Sequence, residues 1–505
     1  MKKKIKSELY ENMMYIIISF VISFMTVLPQ FMVSCSLKRS ILAFLLMLLL
    51  IFSAKISKIV FSVFILYLNL VNIIQMNVYL HWGGEPTLNN RFEVMVRSPL
   101  AESIEYLQTF VDYRDILMVV YVISIFVILY IFVLKCKHTF SFLRKIAILF
   151  FLVLFALLVT KEPLFTAGNY IRIRNNFLQN NIIIEKRNVF LKNLKIEKEN
   201  NSTIKYDKVV IVVGESVNKH FINRENSPFI SSLIEAGRAY MFDAISPANQ
   251  TRYAVPMLFT KANVSKWREN FIHSESILTN FKVLGYKTYW ISNQGHIGKH
   301  EDWITNIANE ADVKIFFNNN YQEANSDIVI SEYLKNLKID NNKEVYVFHL
   351  MGSHFQYSKR YTKKFLLHKN PMNIVQQYEN SIYFTDQVIK SIFDKFADNG
   401  RVLLVYVSDH AEVVSNALQG HGFLPTYRDE YQIPLVIYSN IDNERVKGLY
   451  KENKKHFFNT ENLDSIITYI SYISDDVNIS KSSEIFSLEP RNKFDFNKLK
   501  GYKQF

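Results

Sequence analysis

The hydrophobic positions of this chain are unevenly distributed, and the first third is far more apolar than the rest. Long apolar runs with few charges recur between residues 13 and 160, whereas polar residues are frequent after Lys161. Such runs need lipid around them, because about 20 apolar residues are required to cross the hydrocarbon of a bilayer. The pattern therefore predicts five membrane-spanning helices, at Met13–Ser34, Ile41–Ser53, Ile59–Leu80, Asp115–Leu134 and Ile146–Thr160.

Basic residues between the spans predict their orientation. Lysines crowd residues 2–6, and further lysines or arginines lie between spans two and three and between spans four and five. These loops face the cytoplasm under the positive-inside rule, with Lys38 and Arg39 as the exception. An odd number of spans then places the C-terminal two thirds of the chain outside the cytoplasm.

The region after the spans has the pattern of an α/β domain. Residues 163–205 form a polar bridge, and short β-branched runs then alternate with helix-like stretches over residues 206–505. This alternation predicts a mainly parallel sheet, and Pro434 indicates an edge strand for the last run. The predicted strands are Lys208–Gly214, Glu344–Leu350, Arg401–Ser408 and Ile433–Tyr438, and the predicted helices are Pro228–Ala236, Asp327–Leu337 and Asn373–Phe396.

Composition excludes several classes of partner and site. The 59 basic and 46 acidic residues give a formal net charge of +13, without an Arg-rich stripe or a nucleic-acid-binding motif. We therefore attribute the excess charge to cytoplasmic loops and to attraction for anionic membrane lipid, and we expect no nucleic-acid partner. The two cysteines, Cys35 and Cys136, border apolar segments, so a disulfide framework and a cysteine-based metal site are excluded from residues 206–505.

Three of the predicted strands end in side chains that bind metals. The carboxyl ends of parallel strands meet at one edge of a sheet, where ligands bind. Carboxylate and imidazole groups together suit zinc, with manganese as the second choice. Glu215 alone would be as consistent with helix capping, but the set as a whole predicts a metal site. Its members are Glu215, His349, His354, Asp409 and His410, with His421 in the following Gln419-Gly-His421-Gly element.

The stretch Ser246–Met257 supplies a candidate nucleophile, Thr251. A hydroxyl is a weak nucleophile at its ordinary pKa, and a divalent cation or a nearby base activates it. A threonine in such a position is more commonly a helix N-cap. The place of Thr251 between two ligand-bearing elements favours the catalytic interpretation.

Taken together, these motifs resemble those of the lipopolysaccharide phosphoethanolamine transferases, which belong to the alkaline phosphatase/sulfatase superfamily. The resemblance extends over nearly the whole chain, from the five spans to the α/β domain. The motifs that carry it are Val212-Val-Gly-Glu215-Ser, Thr251 with the following Val255-Pro256, His349-Leu-Met-Gly-Ser-His354, Ser408-Asp409-His410-Ala-Glu412 and His421-Gly.

The resemblance implies a role for each motif. Glu215, Thr251, Asp409 and His410 would hold the catalytic zinc, with Thr251 as the nucleophile. His354 and His421 would bind the phosphate group or a second zinc. His349 and Lys299 are further candidates for contact with phosphate or substrate; a structural histidine and a solvated lysine are the alternatives for these two.

The resemblance also implies a reaction and a location. Phosphoethanolamine would pass from phosphatidylethanolamine to lipopolysaccharide or lipid A, at the periplasmic face of a bacterial inner membrane. Family members that act on lipid A have several disulfides in the soluble domain, whereas Ala248–Met257 contains no cysteine. The sequence is closer to members that modify core sugars, which favours a heptose or Kdo acceptor.

Three other functions share parts of this pattern. A glycerophosphate transferase of the lipoteichoic acid synthase type has the same layout but uses phosphatidylglycerol. A sulfatase-type hydrolase would need a (Cys/Ser)-x-Pro-x-Arg motif, and the sequence has none. A membrane receptor with a ligand-binding domain would need no metal.

Overall fold

The computed structural model describes residues 111–135, 166–194, 205–295, 302–318, 326–424, 426–488, 490 and 492–502, with scattered positions between 13 and 108. The chain divides into two compact units, Met1–Val96 with Tyr106–Phe177 and Arg97–Glu105 with Leu178–Phe505. We call these the first and second units. The strand-end motifs of the sequence all fall in the second unit.

In the first unit, helix α1 (Tyr113–Lys135) covers the predicted fourth span. Within the described part of the chain, no helix combines the length and the hydropathy needed to cross a membrane. The first predicted span is described in part, at helical positions between 13 and 28, and the second, third and fifth lie wholly or largely outside the described residues. The count of five spans therefore stays a prediction.

The predicted bridge contains helix α2 (Thr166–Asn193). Its C-terminal part belongs to the second unit, where Arg187 is fully buried and pairs with Glu310 at 2.7 Å. The Arg187 guanidinium also donates to the backbone carbonyls of Phe271 and Ser274. Because a buried cation is stable only when it is paired and hydrogen-bonded, these contacts fix this end of the bridge to the second unit.

The second unit is built on one large sheet, which has eight strands in the described residues. Its order is β10-β2-β9-β6-β1-β5-β3-β4, and the strands from β6 to β4 run parallel, as predicted. The strands are β1 (Lys208–Gly214), β2 (Ala239–Ile245), β3 (Lys287–Ser292), β4 (Val313–Phe316), β5 (Glu344–His349), β6 (Val402–Ser408), β7 (Val413–Val414), β8 (Gln419–Gly420), β9 (Gln432–Ser439), β10 (Phe458–Asn459), β11 (Glu484–Phe486) and β12 (Lys493–Asp495).

Helices cover both faces of this sheet, which confirms the predicted α/β class. Side chains of β1 alternate between two cores: Val209 and Ile211 pack in one, and Val210 and Val212 in the other. A strand buried on both faces reads as a continuous apolar run, as β1 does. The helices are α3 (Pro228–Glu235), α4 (Thr251–Phe259), α5 (Trp267–Ile272), α6 (Ile277–Val283), α7 (Asp302–Ala308), α8 (Ile328–Asn336), α9 (Ile374–Phe396), α10 (Glu444–Asn453) and α11 (Leu463–Ile470).

The predicted edge position of Pro434 is wrong, because β9 lies inside the sheet between β2 and β6. Two features make a proline tolerable there. Opposite Pro434, Asp243 directs its backbone N–H and C=O to the Asn453 side chain, at 2.6 and 2.8 Å. On the other side, the pairing with β6 stops at Leu435. No ladder hydrogen bond therefore requires the N–H that proline lacks.

Candidate active site

The register of the central strands brings the predicted site residues together. Gly214 at the end of β1 lies beside Ser408 at the end of β6, and Val213 lies beside His349 of β5. The residues that follow each strand therefore emerge at the same level of one sheet edge. Glu215 and the Asp409–His410 pair, about 200 positions apart in sequence, become neighbours in this way.

Three of these residues form a compact, buried group of metal-ligand type. One ligand atom from each of Glu215, Asp409 and His410 lies within 4.8 Å of those of the others. His410 Nε2 is 3.1 Å from Glu215 Oε1 and 3.5 Å from Asp409 Oδ2. The structure thus brings three of the six predicted ligands together from the ends of two different strands.

Thr251 completes this group from a third element. It is the first residue of α4, and its hydroxyl donates to Glu215 Oε2 at 3.0 Å. The same oxygen lies 3.3 Å from His410 Nε2. The N-cap of α4 is Gln250, whose side chain makes no capping hydrogen bond, so the capping alternative for Thr251 does not hold. Its hydroxyl points to the buried carboxylates instead.

The two oxygens of Asp409 have different surroundings. Oδ1 accepts hydrogen bonds from the backbone N–H of His410 at 2.7 Å and of Ser216 at 3.2 Å. Oδ2 is buried and accepts none. Burial, together with the neighbouring Glu215 carboxylate, raises the pKa of Asp409. A buried carboxylate oxygen without a donor, beside a second carboxylate and an imidazole, fits a divalent cation.

His410 is also oriented to bind a divalent cation. Its Nδ1 lies 3.1 Å from the carbonyl oxygen of Ala411, which directs Nε2 toward Glu215 and Asp409. Burial alone would lower the pKa of His410, but the Asp409 and Glu215 carboxylates outweigh burial and raise it to about 10. A proton on Nε2 therefore offsets part of the negative charge of the two carboxylates, and a bound metal would displace it.

Gly352 allows the loop after β5 to lie against Glu215. Its φ is +50°, and a Cβ at this position would be 2.8 Å from the Glu215 backbone nitrogen. The next residue, Ser353, donates its N–H to the Glu215 carbonyl at 3.0 Å. A side chain at position 352 would displace one of the two loops, which explains the glycine in the His349–His354 motif.

His421 and His354 border the group. The His421 ring centroid is 4.2 Å from that of His410, and its Nδ1 lies 2.9 Å from Glu412 Oε1. The β7–β8 hairpin explains this contact, because its register pairs Val413 with Gly420 and so sets Glu412 opposite His421. Burial, and then nearby positive charge, lowers the pKa of His354 well below its ordinary value.

His349 and Lys299 differ from the other predicted residues. The His349 ring is buried against Trp290, with centroids 5.7 Å apart, and burial lowers its pKa to about 4. Its Nδ1 lies 3.5 Å from Ser292 Oγ, and it is outside the metal-type group. These contacts favour the structural alternative. Lys299 lies outside the described residues.

Sequence reasoning missed three residues that support the site. Gln294 donates to Glu215 Oε2 at 3.1 Å, and its position just after β3 follows the same strand-end rule that identified Glu215. Glu430 is fully buried and accepts from Asn249 Nδ2 at 2.8 Å and from the Gly422 N–H at 2.6 Å. It thereby ties the turn before Thr251 to the residue after His421. No local pattern marks Asn249 or Glu430.

Fold and site together define an α/β domain of the alkaline phosphatase type, with metal-ligand side chains at the carboxyl edge of a parallel sheet. The sulfatase family model matches residues 207–467, which is more than half of the 505-residue chain. The chain therefore belongs to the sulfatase family.

Curated relatives carry more specific names. Phosphoethanolamine transferase OpgE of Escherichia coli K12 is 26% identical over 259 residues, which cover 47% of this chain and 46% of that protein. A Kdo(2)-lipid A phosphoethanolamine 7''-transferase of the same strain is 20% identical over 307 residues, which cover 54% and 53%. The chain thus spans about half the length of the curated relatives it matches.

One solved structure resembles the chain over most of its length. Lipooligosaccharide phosphoethanolamine transferase A (EptA) of Neisseria meningitidis, an integral membrane protein, covers 93% of this chain and 96% of its own, with a TM-score of 0.58 and 15% identity. The C-terminal periplasmic domain of EptC from Escherichia coli, in complex with Zn, covers 60% and 95%, with a TM-score of 0.50 and 20% identity. At these identities the likeness concerns the fold.

Proposed function

We propose that this protein transfers phosphoethanolamine from phosphatidylethanolamine to a lipopolysaccharide acceptor through a covalent intermediate on Thr251. The observation that carries the proposal is the Thr251 hydroxyl, 3.0 Å from a Glu215 carboxylate that lies beside Asp409 and His410. The names of the curated relatives support the group that is transferred.

Four residues would hold the metal: Glu215, Asp409, His410 and the hydroxyl oxygen of Thr251. The unpartnered Asp409 Oδ2 and the negative charge of the two carboxylates support a divalent cation at this position. Zinc is favoured, with manganese as the second choice, because the donors are carboxylate and imidazole. When bound, such an ion lowers the pKa of a coordinated hydroxyl and neutralises charge on a phosphoryl group.

The residues of the chain then account for two displacements at phosphorus. The Thr251 hydroxyl passes its proton to Glu215, and its oxygen attacks the phosphorus of phosphatidylethanolamine. The bond to the diacylglycerol oxygen breaks, and diacylglycerol leaves after taking a proton from solvent. An acceptor hydroxyl next loses its proton to solvent and attacks the phosphoethanolamine–threonine ester; the bond from phosphorus to Thr251 breaks, and the Thr251 oxygen regains the proton from Glu215.

The surrounding histidines would contact the phosphate. The His421 ring lies 4.2 Å from that of His410 at a tilt of 51°, and 20% of its side chain is exposed, so it contacts both the metal group and the solvent. His354 lies on the loop that Gly352 holds against Glu215. We assign both residues to the phosphate or to a second metal. Lys299 stays a further candidate, whereas the burial of His349 supports a structural role.

The proposed location is a bacterial inner membrane, with five spans in residues 1–162, a bridge over 163–205 and a periplasmic catalytic domain over 206–505. The basic residues on one side of the predicted spans support this orientation. Both proposed substrates are lipids. An anchored domain would therefore meet donor and acceptor at the same membrane surface.

The proposed acceptor is a core sugar, heptose or Kdo, rather than the lipid A phosphates. The support is the absence of cysteine from residues 206–505, since the lipid A members of the family carry disulfides there. Mass spectrometry of lipopolysaccharide from cells with and without the gene would identify the added group and the sugar that carries it.

The nucleophile is tested with Thr251→Ala in the full-length, zinc-loaded protein and fluorescent phosphatidylethanolamine. We expect diacylglycerol release to fall by about 1,000-fold or more, because the attacking oxygen is removed. Thr260→Ser is the matched control: Thr260 lies just after the same helix, and its hydroxyl bonds locally, donating to the Pro256 carbonyl and accepting from the Ala262 N–H.

Near wild-type release by Thr251→Ala would refute the nucleophile. Phosphatidylglycerol in place of phosphatidylethanolamine tests the alternative of a glycerophosphate transferase, and we expect it to be a poor donor. Mass spectrometry of peptides containing Thr251 should detect phosphoethanolamine on wild-type protein treated with donor alone.

A further inference from the structure

Arg252, the residue after the proposed nucleophile, has an unusual environment. Its guanidinium carbon lies 4.9 Å from the centroid of the Tyr253 ring and 4.8 Å from that of Trp303. Its Nε is buried without a hydrogen-bond partner, and no carboxylate pairs with it among the described residues. Within the part of the chain that the structure describes, this half-buried arginine is thus held by aromatic rings and not by an acid.

Aromatic support makes this charge suitable for binding an anion. The two rings are 5.4 Å apart and belong to a larger aromatic group with Trp267, so they fix the position of the guanidinium. Cation–π contact holds the stem and the planar head without using the N–H donors. Those donors have the geometry that pairs with phosphate or carboxylate oxygens.

The position of Arg252 indicates which anion it would bind. Successive helical residues point about 100° apart, so Arg252 is directed beside the reacting phosphorus and not at it. The Thr251 hydroxyl faces Glu215 and His410, and none of these atoms bonds to Arg252. Phosphatidylethanolamine carries a single phosphate, which is the reacting group. A second anion near the nucleophile must therefore belong to the acceptor.

We propose that Arg252 binds an anionic substituent of the acceptor, a phosphate or a carboxylate close to the hydroxyl that receives phosphoethanolamine. This rests on the proposed function and adds a requirement to it. The carboxylates of Glu215 and Asp409 repel an approaching anion, and Arg252 offsets that repulsion next to the nucleophile. A neutral sugar without such a substituent would be a poor acceptor.

The test is the KM for purified lipopolysaccharide with the full-length, zinc-loaded Arg252→Gln variant. We expect this KM to rise about 10- to 100-fold, the range for loss of a charge-assisted hydrogen bond, and kcat to change much less. Arg252→Lys should recover part of the loss, since it keeps the charge without the planar fork. An unchanged acceptor KM in Arg252→Gln would overturn the proposal.

Modified acceptors identify the anion. Enzymatic dephosphorylation of the core and chemical reduction of its carboxyl groups are applied separately to the same lipopolysaccharide. Only the modification that removes the ligand of Arg252 should raise the wild-type KM, and it should leave the KM of Arg252→Gln unaffected. If the variant still discriminates both modified acceptors as the wild type does, Arg252 does not bind either group.

Arg238→Gln is the matched control. Arg238 also lies over two rings, Phe393 and Tyr438, at 5.6 and 5.7 Å, but it precedes β2 and lies at the opposite end of that strand from the site. The acceptor KM should not change in this variant. Diacylglycerol release is also measured without acceptor. If the wild-type protein releases none, the transferase proposal itself is refuted. If Arg252→Gln and the wild type have the same acceptor KM, only the role of Arg252 is refuted.

Discussion

The two ends of strand β1 show how differently one chain can treat buried charge. At the amino end, Lys208 Nζ pairs with Glu344 Oε2 at 2.9 Å and also donates to backbone carbonyls. Glu344 in turn accepts from the hydroxyls of Tyr346, at 2.9 Å, and Tyr289, at 3.1 Å. Each charge there has an opposite charge and several hydrogen bonds.

At the carboxyl end, the charges are not balanced in the same way. Glu215 and Asp409 lie close together, His410 is the neighbouring cation, and Asp409 Oδ2 has no donor. Both ends are almost fully buried, so burial alone does not mark a functional site. The difference lies in charge balance: a satisfied ion pair stabilises the sheet edge, whereas an excess of carboxylate creates a requirement for a cation.

The largest expected effect is at the carboxyl end, for Asp409→Asn. Asparagine keeps an oxygen for the N–H groups of His410 and Ser216 but removes the charge. We expect diacylglycerol release to fall by about 1,000-fold, since one proposed metal ligand is weakened. The metal-free protein should become more stable in urea, because the repulsion from Glu215 disappears. Lower stability of the metal-free variant would contradict the unbalanced-charge interpretation.

The amino end should respond in the opposite way to Lys208→Met. Removing the cation leaves the Glu344 carboxylate buried without an opposite charge, which costs about 3–5 kcal/mol of unfolding free energy. Any loss of activity should follow the loss of folded protein. Urea denaturation monitored by tryptophan fluorescence measures the cost, and the double variant Lys208→Met/Glu344→Gln should regain much of it.

Zinc binding should distinguish the two ends of β1 through a change in unfolding free energy that is smaller than the loss expected for Lys208→Met. At a free zinc concentration 100 times the dissociation constant, the wild-type protein should gain about 2.7 kcal/mol. Lys208→Met should show a similar gain and Asp409→Asn a much smaller one. Thermal unfolding with and without a chelator measures these gains, and an equal gain in all three proteins would place the metal elsewhere.

Asp386 is intermediate between the two ends of β1: both of its carboxylate oxygens accept hydrogen bonds, but its donors are all uncharged. Its two oxygens accept from the N–H groups of Phe229 and Ile230 at the start of α3, both at 2.9 Å. Burial raises the pKa of Asp386 to about 6. For an acid whose pKa is raised in the folded state, the stabilisation is complete below the unfolded pKa and is lost as the pH rises to the folded one.

The wild-type protein should therefore lose stability relative to Asp386→Asn as the pH rises from about 4 to about 6, by at most about 3 kcal/mol. Above pH 6 the difference should be constant. Paired urea titrations of both proteins over this range provide the measurement. A difference that does not depend on pH would mean that folding does not raise the pKa of Asp386.

Much of the fold and the proposed metal group could be predicted from the sequence. Both depend on short apolar runs that form parallel strands, and the residues after those strands lie at one edge of the sheet. The β-branched run of β1 is apolar on both faces, which predicts a central strand. Glu215 and His410 directly follow such runs, so parallel pairing was sufficient to bring them together.

The rest depends on contacts that no local pattern encodes. Pro434 lies inside the sheet only because Asn453, from a separate helix, takes over the backbone groups of Asp243. Glu430 supports the site through Asn249, 181 positions away. These partners come together only when the chain folds. In the sequence alone, Asn453, Asn249 and Glu430 look like ordinary solvent-exposed polar residues.

The buried Arg187 has a consequence for any attempt to produce the sheet-bearing part of the second unit by itself. A fragment that begins at residue 206, where the strand pattern starts, would lack this guanidinium. Glu310 would then keep the hydroxyls of Ser276 and Thr279 but lose the guanidinium that pairs with its carboxylate, while the Phe271 carbonyl would lose a donor. A fragment that keeps these contacts must therefore begin within α2, upstream of Arg187.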